Sequence, residues 1–429
     1  MLYNDLINLL WSLIMITELE FYKSTLLNDV LKFWEENAPD EEFGGFFTCF
    51  NNDSSQLLST DKYIWSQGRM LWCLSKLCTL PYISNNRKNI LSKYADKTAE
   101  FLQKHSRMQN GNCVFLTDRQ GNHKLSNGVY DASIYADCFV IIGLAEYASY
   151  RKDYSALEFA YDLYLHSKSR YESGNFNTEP YPEPKQFRTH GLPMIFTNTS
   201  RTLADAMASL NHKDAGLVSN YAYSFAKDVI DNFVDENNVL HEMIYRNGGF
   251  DKNEMLGRYV NPGHTIEDCW FLNTEWELFN DSERKNKTVQ VLKNALRLGW
   301  DEEYLGIRLF ADCDGGSPKG IISDNNEPMV KKITNDTYSK LWWVHSEALY
   351  STLLFNKYDG ITDWYNKIKD YTFSVFPNHE NDKGEWIQIR DRYGKPENKI
   401  VALPVKDPFH IIRNLILIIE ELEKRLNNA

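Results

Sequence analysis

The sequence predicts an all-α fold: an (α/α)6 barrel of six helical hairpins closed in a ring, with short β-hairpin-like loops at one end. Three observations carry this expectation. Six short turn-plus-strand segments punctuate the chain near Gly45, Gly111, Gly174, Asn238, Gly306 and Gly384, roughly 63 to 78 residues apart. Between them the apolar pattern is helical, twice per interval. No Ser/Gly-rich or Pro-rich linker interrupts the 429 residues, so the two-domain prior for that length yields to one continuous array.

The elements follow in order. Residues 1–17 read as an N-terminal extension and 18–429 as a single barrel domain. The opening apolar stretch, about 10 residues, is too short to span a bilayer. It also lacks the basic n-region and small-residue cleavage site of a signal peptide; Met15 offers an alternative start. Helices are predicted at about 18–37, 62–80, 88–106, 133–150, 153–169, 193–211, 214–234, 265–281, 284–299, 339–356, 361–376 and 408–426. In the last of these Ile411, Leu415, Ile418 and Leu422 trace an amphipathic stripe. If the second helix of each hairpin lines the interior, the residues considered below converge on one cavity.

Composition narrows the function. A net charge of −12 argues against nucleic acid and anionic membrane as partners and fits a soluble protein with a small-molecule substrate. Eleven Trp and 25 Tyr are many; such rings fill large cores and also line sugar-binding clefts. Seven scattered cysteines without a C-x-x-C read as reduced thiols in a cytoplasmic protein. There is no Gly-rich phosphate loop, no G-x-S-x-G, and no His/carboxylate set at metal spacing, so no metal is expected.

Two histidines stand at predicted helix starts. In LGRYVNPGHTIEDCWFL, Pro262 and Gly263 break the chain before His264, and Thr265 with Asp268 form a T-x-x-D arrangement like a capping box. In KDPFHIIRNLILIIEEL, Asp407 is a natural N-cap, Pro408 fits the first helical position, and His410 falls in the first turn. The helix dipole disfavours imidazolium there, which biases both rings toward the neutral form a general base needs. Glu267 and Arg413 each follow a histidine at i+3.

Other candidates sit on the same set of helices. Arg69 lies inside an apolar helix in YIWSQGRMLW and needs a partner or a cavity. In LWWVHSEAL, His345 and Glu347 are about 200° apart on a helix, so one face holds only one of them; Trp342 and Trp343 read as core. Tyr135 in ASIYADCF and Trp386 in GEW are weaker candidates. His105, His123, His166, His190, His212, His241, His379 and Met194 read as structural or solvated.

Taken together, FWEENAPDEEFGGFF, KYIWSQGRMLW, ASIYADCF, LGRYVNPGHTIEDCWFL, KLWWVHSEAL, YTFSVF with GEW, and FHIIR resemble the N-acylglucosamine 2-epimerase family over nearly the whole chain after about residue 18. The resemblance implies the (α/α)6 barrel and a cofactor-independent sugar 2-epimerase with His264 and His410 as catalytic bases. It also implies that Arg69, Glu267, Glu347 and Arg413 bind the sugar, with Trp386 near it. Three departures appear. Ile412 stands where the family often has Pro, KDPFH replaces a K-G-x-F-H lead-in, and Pro193 and Met194 replace an N-x-N-M-H block. The last of these, with His345, sides with the N-acyl branch and leaves the ring-opening group unassigned. The expected reaction interconverts N-acetylglucosamine and N-acetylmannosamine. The alternative is an aldose–ketose isomerase or 2-epimerase of unmodified sugars such as mannose. Family members further suggest a homodimer and, in some, ATP stimulation. A glycosidase on the same barrel and a non-catalytic binding protein are the more distant readings.

Overall fold

A computed structural model describes residues 2–378 and 385–428, with side chains from residue 13 onward. The predicted Gly384 turn and His379 lie outside the described residues. Twelve long helices run in sequence among them, and we number these α1 to α12. Helix α1 (residues 2–37) joins Leu2–Ser24 to Leu31–Asn37 through a π-helical turn, Thr25–Val30. Residues 2–17 of the stretch read as an extension lie within this helix. Then come α2 Ile64–Thr79, α3 Asn85–His105, α4 Ile134–Arg151, α5 Tyr154–Ser173, α6 Gly191–Ser209 and α7 Ala215–Asp228. The series ends with α8 Pro262–Leu278, α9 Ser282–Gly299, α10 Trp342–Leu354, α11 Thr362–Val375 and α12 Phe409–Asn428. Two short helices, Met255–Arg258 and Pro328–Asp336, lie in long loops and were not predicted.

The ring closes as expected. Helix α2 packs on α4, α4 on α6, α6 on α8, α8 on α10, α10 on α12, and α12 returns to α2. Even helices therefore form the inner wall of an (α/α)6 barrel. They read as more uniformly apolar because they are covered on both sides, and the stripe Ile411, Leu415, Ile418, Leu422 is buried throughout.

The punctuating segments among the described residues are reverse turns after outer helices. Antiparallel bridges close four of them at Pro39–Phe46, Arg107–Cys113, Val234–Leu240 and Trp300–Ile307, and Pro377 bridges Trp386. Gly45, Gly111, Gly174 and Gly306 have positive φ there, and Asn238 adopts the same left-handed backbone. Buried lysines pin two of the turns in parallel fashion. Lys62 Nζ reaches Asp40 Oδ2 (2.9 Å) and the Gly44 carbonyl (2.7 Å), while Lys340 Nζ reaches Asp301 Oδ2 (3.2 Å) and the Leu305 carbonyl (2.6 Å).

Short strands then lead into the inner helices. The antiparallel pairs are β1 (Lys62–Tyr63) with β2 (Leu116–Thr117) and β2 with β3 (His123–Lys124); β4 (Phe187–Thr189) with β5 (Met243–Tyr245); β6 (Tyr259–Val260) with β7 (Ala311–Asp312); and β8 (Lys340–Leu341) with β9 (Ile389–Arg390). Strands β1, β4, β6 and β8 directly precede α2, α6, α8 and α10, so the N-termini of the inner helices gather at one end under a rim of loops.

One local prediction is corrected. Helix α8 begins at Pro262, not at Thr265: Asn261 is the N-cap, its side chain accepting the His264 amide at 3.3 Å. Pro262 lacks the N–H that the first turn would leave unpaired, so it starts the helix instead of ending the preceding segment. Thr265 is already helical and donates to the Asn261 carbonyl (3.2 Å), while Asp268 is buried and faces another helix.

Candidate active site

His264 and His410 come together around one indole. The Trp343 ring centroid lies 5.4 Å from that of His264 and 5.6 Å from that of His410. Trp343, read from the sequence as core, is half-buried and touches both rings, and Trp342 beside it donates to the Asp407 carbonyl at 3.0 Å.

Each histidine is oriented by a carboxylate. His410 Nδ1 lies 2.7 Å from Glu347 Oε1, and His264 Nδ1 lies 3.1 Å from Glu242 Oε2. An ionised carboxylate only accepts, so Nδ1 carries the proton and Nε2 keeps its lone pair. Arg413 Nη2 also approaches His410 Nδ1, at 3.4 Å, but the shorter contact to Glu347 decides the tautomer.

Behind each carboxylate stands a nitrogen-bearing side chain shared with a second carboxylate. On one side Arg413 Nη2 donates to Glu347 Oε1 (2.5 Å) and to Glu267 Oε1. Trp270 Nε1 completes Glu347 with a 3.0 Å bond to Oε2. Burial opposes the charge on Glu347, but Arg413 and His410 outweigh it and hold the carboxyl at about 2. Burial likewise opposes the charge of Arg413, which the two glutamates push upward.

On the other side His190 lies between Glu242 Oε1 (3.4 Å from Nδ1) and Asp268 Oδ2 (2.8 Å from Nε2). Burial again acts against the charged form of Glu242, yet the two histidines keep it at about 2. The strand register builds this contact. Thr189 pairs with Met243 across β4 and β5, and the next residue along, His190, donates its amide at 2.9 Å to the carbonyl of Glu242, the residue before Met243.

Arg69 ion-pairs with Asp407 and lies 4.7 Å from the Trp65 ring and 4.1 Å from that of Phe139. Asp407 also accepts the Phe409 amide (2.8 Å), so one carboxylate caps α12 and anchors Arg69. Burial lowers the pKa of Arg69, and its Nε has no hydrogen-bond partner among the described residues. Tyr135 packs on Trp65 at 5.5 Å, and its hydroxyl lies where a Cβ on Gly191 would come within 2.7 Å.

Several expectations change. The carboxylate beside His264 is Glu242, not Glu267, because Glu267 turns along the helix to Arg413. His345 is not in this group. It is fully buried, its Nδ1 donates to the Leu341 carbonyl (2.7 Å), its Nε2 accepts the Ile307 amide (2.9 Å), and its ring stacks on Tyr371. Burial lowers its pKa to about 3. The helical angle separating His345 from Glu347 is the reason: Glu347 faces inward, so His345 faces the outer layer. Trp386 is also elsewhere, buried and stacked on Phe376 at 5.9 Å. Glu242 escaped the sequence reading because it is distant in the chain and carries no motif, HEM beside a predicted turn being its local signal; His190 was read as structural or solvated and Asp268 as part of a helix cap.

Among the described residues three sets offer potential metal ligands within 4.8 Å of one another, two of them here: His190, Glu242 and His264, and Glu267, Glu347 and His410; the third is Asp312, Cys313 and Asp314. Sequence spacing had suggested none. Arg413 already binds both carboxylates of the second set, and in the first His190 bridges Glu242 to Asp268. Both sets are thus tied together by proton-bearing groups, with Arg413 Nε and Asp268 Oδ1 left without a hydrogen-bond partner among the described residues. A cavity of about 250 Å³ lies on the far side of Arg413 and Phe409, between the C-terminal halves of α4, α6 and α8. It does not include either candidate base.

A closed helical ring with two carboxylate-backed imidazoles at one end defines an isomerase of the epimerase class. The chain belongs to the N-acylglucosamine 2-epimerase family, whose sequence pattern matches residues 45–413. It is 27% identical over 410 residues to human N-acylglucosamine 2-epimerase, covering 92% of this chain and 88% of that protein. In structure it is similar to cellobiose 2-epimerase from Bacillus thermoamylovorans (TM-score 0.74, 18% identity, 94% of this chain and 99% of the other). A D-mannose isomerase also shares the fold (TM-score 0.71, 16% identity, 94% of this chain and 97% of the other).

Proposed function

We propose that the protein inverts C2 of an N-acyl sugar, interconverting N-acetylglucosamine and N-acetylmannosamine, with His264 and His410 as the two bases. The observation that carries this reading is the pair of imidazoles touching Trp343, each with Nδ1 committed to a buried carboxylate and Nε2 available.

The chemistry asks for such a pair. The C2 proton of the ring-opened aldose is weakly acidic and sits alpha to the carbonyl. One Nε2 removes it, and the electrons move onto the carbonyl oxygen as an enolate. The other ring, arriving protonated, returns a proton to the opposite face, and the enolate collapses to the epimeric aldehyde. There is no net redox change, so no electron carrier enters this reading. Acid–base help of this kind contributes roughly 10²–10⁴-fold. Arg69 and Arg413 supply positive charge to the developing oxyanion in a site with little water, where such charge acts strongly.

The curated relatives point the same way, since the human protein is named for the N-acyl substrate. A glycosidase needs two carboxyl groups on opposite sides of the scissile bond. Glu267 and Glu347 instead converge on the same Arg413 Nη2. We also place the protein in the cytoplasm; among the described residues no helix is long and apolar enough to cross a membrane.

The test is a set of reactions in D2O with N-acetylmannosamine, N-acetylglucosamine and mannose. Epimerisation of the N-acyl sugars with deuterium entering C2 is the expected result, with His264→Asn and His410→Asn each abolishing inversion. A ketose product from mannose without N-acyl turnover would favour the isomerase alternative. Near-full activity in both variants would sink the two-base scheme.

A further inference from the structure

We propose that His190 is a positioning residue, a buried imidazolium that holds Glu242 against His264 as Arg413 holds Glu347 against His410. The inference rests on His264 being a base, and it adds a residue that the sequence left among the structural histidines.

The two halves of the site have the same construction. His410 meets Glu347, Glu347 meets Arg413, and Arg413 meets Glu267. His264 meets Glu242, Glu242 meets His190, and His190 meets Asp268. In the first chain the third member is a permanent cation. In the second both ring nitrogens of His190 face carboxyl oxygens; burial raises the Asp268 carboxyl, but the proton along its 2.8 Å contact with Nε2 sits on the more basic imidazole, and Glu242 only accepts, so each nitrogen carries a proton. His190 is fully buried, with Glu242 only 6% exposed and Asp268 at 0%. A carboxylate buried next to a neutral histidine would lack a counter-charge; the imidazolium provides it.

The surroundings are consistent with this. The ionisable groups facing His190 are Glu242 ahead of β5 and Asp268 from α8, with His264 of α8 behind Glu242. Phe233 covers another side, with ring centroids 6.0 Å apart. Burial disfavours the charged ring, but Asp268 and Glu242 override it and raise the pKa to about 10. His264 lies beyond Glu242, its ring centroid 6.4 Å from that of His190.

The consequence for the base is electrostatic. Without the His190 charge, the carboxylate of Glu242 acts unshielded on His264, which then keeps its proton to higher pH. At this spacing the effect is about one pH unit after screening.

The test compares kcat/KM against pH for the wild type and His190→Gln on N-acetylmannosamine. The acid limb should move up by about one pH unit, with a loss of about tenfold below the wild-type limb and little change in KM. Nitrogen-15 spectra of the histidine-labelled full chain give a second readout that needs no variant. A slowly exchanging, doubly protonated imidazole should persist at pH 8. An unmoved acid limb in His190→Gln, or no such imidazole in the wild type, overturns the proposal. If the wild type turns over no sugar, the functional reading fails, while the spectra still decide the charge of His190.

Discussion

Glu347 Oε1 accepts from His410 Nδ1 at 2.7 Å and from Arg413 Nη2 at 2.5 Å, so one carboxylate oxygen joins a candidate base to a fixed cation. Its other oxygen takes Trp270 Nε1 at 3.0 Å. This saturation is what sets the orientation of His410: the ring cannot turn without leaving a buried acceptor short of a donor.

Glu347→Gln tests that relationship directly. The amide keeps the shape but removes the charge, and its NH2 would oppose two donors. We expect kcat to fall about 10²-fold or more, as when a base loses the carboxylate that fixes its tautomer. Arg413 retains Glu267, so the protein should still fold. Steady-state kinetics with circular dichroism checks both parts, and unchanged kcat would refute the orienting role.

Gly263 lets α8 approach α10 closely. A Cβ there would meet the Trp343 ring at 2.6 Å and Val344 Cγ2 at 2.8 Å. Gly263→Ala should therefore lower stability by about 1–3 kcal/mol through overpacking. It should also displace the indole that touches the two histidines. Thermal unfolding together with kcat measures the two effects, and an active variant of wild-type Tm would contradict the contact.

His345→Phe separates stability from catalysis. Losing the acceptor for the buried Ile307 amide should cost about 1–3 kcal/mol. Because the folded pKa of about 3 lies below the unfolded value, neutral His345 contributes stability that is full above about pH 6.5. That contribution is lost as pH falls toward 3, so the Tm gap between wild type and variant should narrow on acidification. The kcat of the folded variant should stay near wild type; a large loss would return His345 to the site.

Arg69→Lys keeps the charge but loses the flat guanidinium lying against the stacked Trp65 and Phe139 rings. If Arg69 stabilises the oxyanion, kcat should drop about 10²-fold. Equal kcat in the two proteins would limit Arg69 to holding Asp407.

The twelve-helix pattern was legible because burial on one face or on both leaves a periodic trace, and because the left-handed turns near Gly45, Gly111, Gly174 and Gly306 need glycine. His264, His410, Arg69, Glu267, Glu347 and Arg413 were legible too, since each interrupts an apolar inner helix with a polar group that requires a reason. Helix α8 was misplaced by three residues, because Pro and Gly read equally well as a helix start and as a break. Trp386 and His345 were misassigned for a related cause: the family blocks that contain them include packing residues alongside site residues.

By itself, then, the chain determined the ring and the residues that line its inner wall, because periodicity and composition are local properties written residue by residue. Only the tertiary structure decided who faces whom. Glu242 beside His264, His190 behind Glu242, and the Trp343 indole against the two imidazoles follow from strand register and helix rotation. Those are set by packing between segments far apart in sequence, where no spacing along the chain can be read.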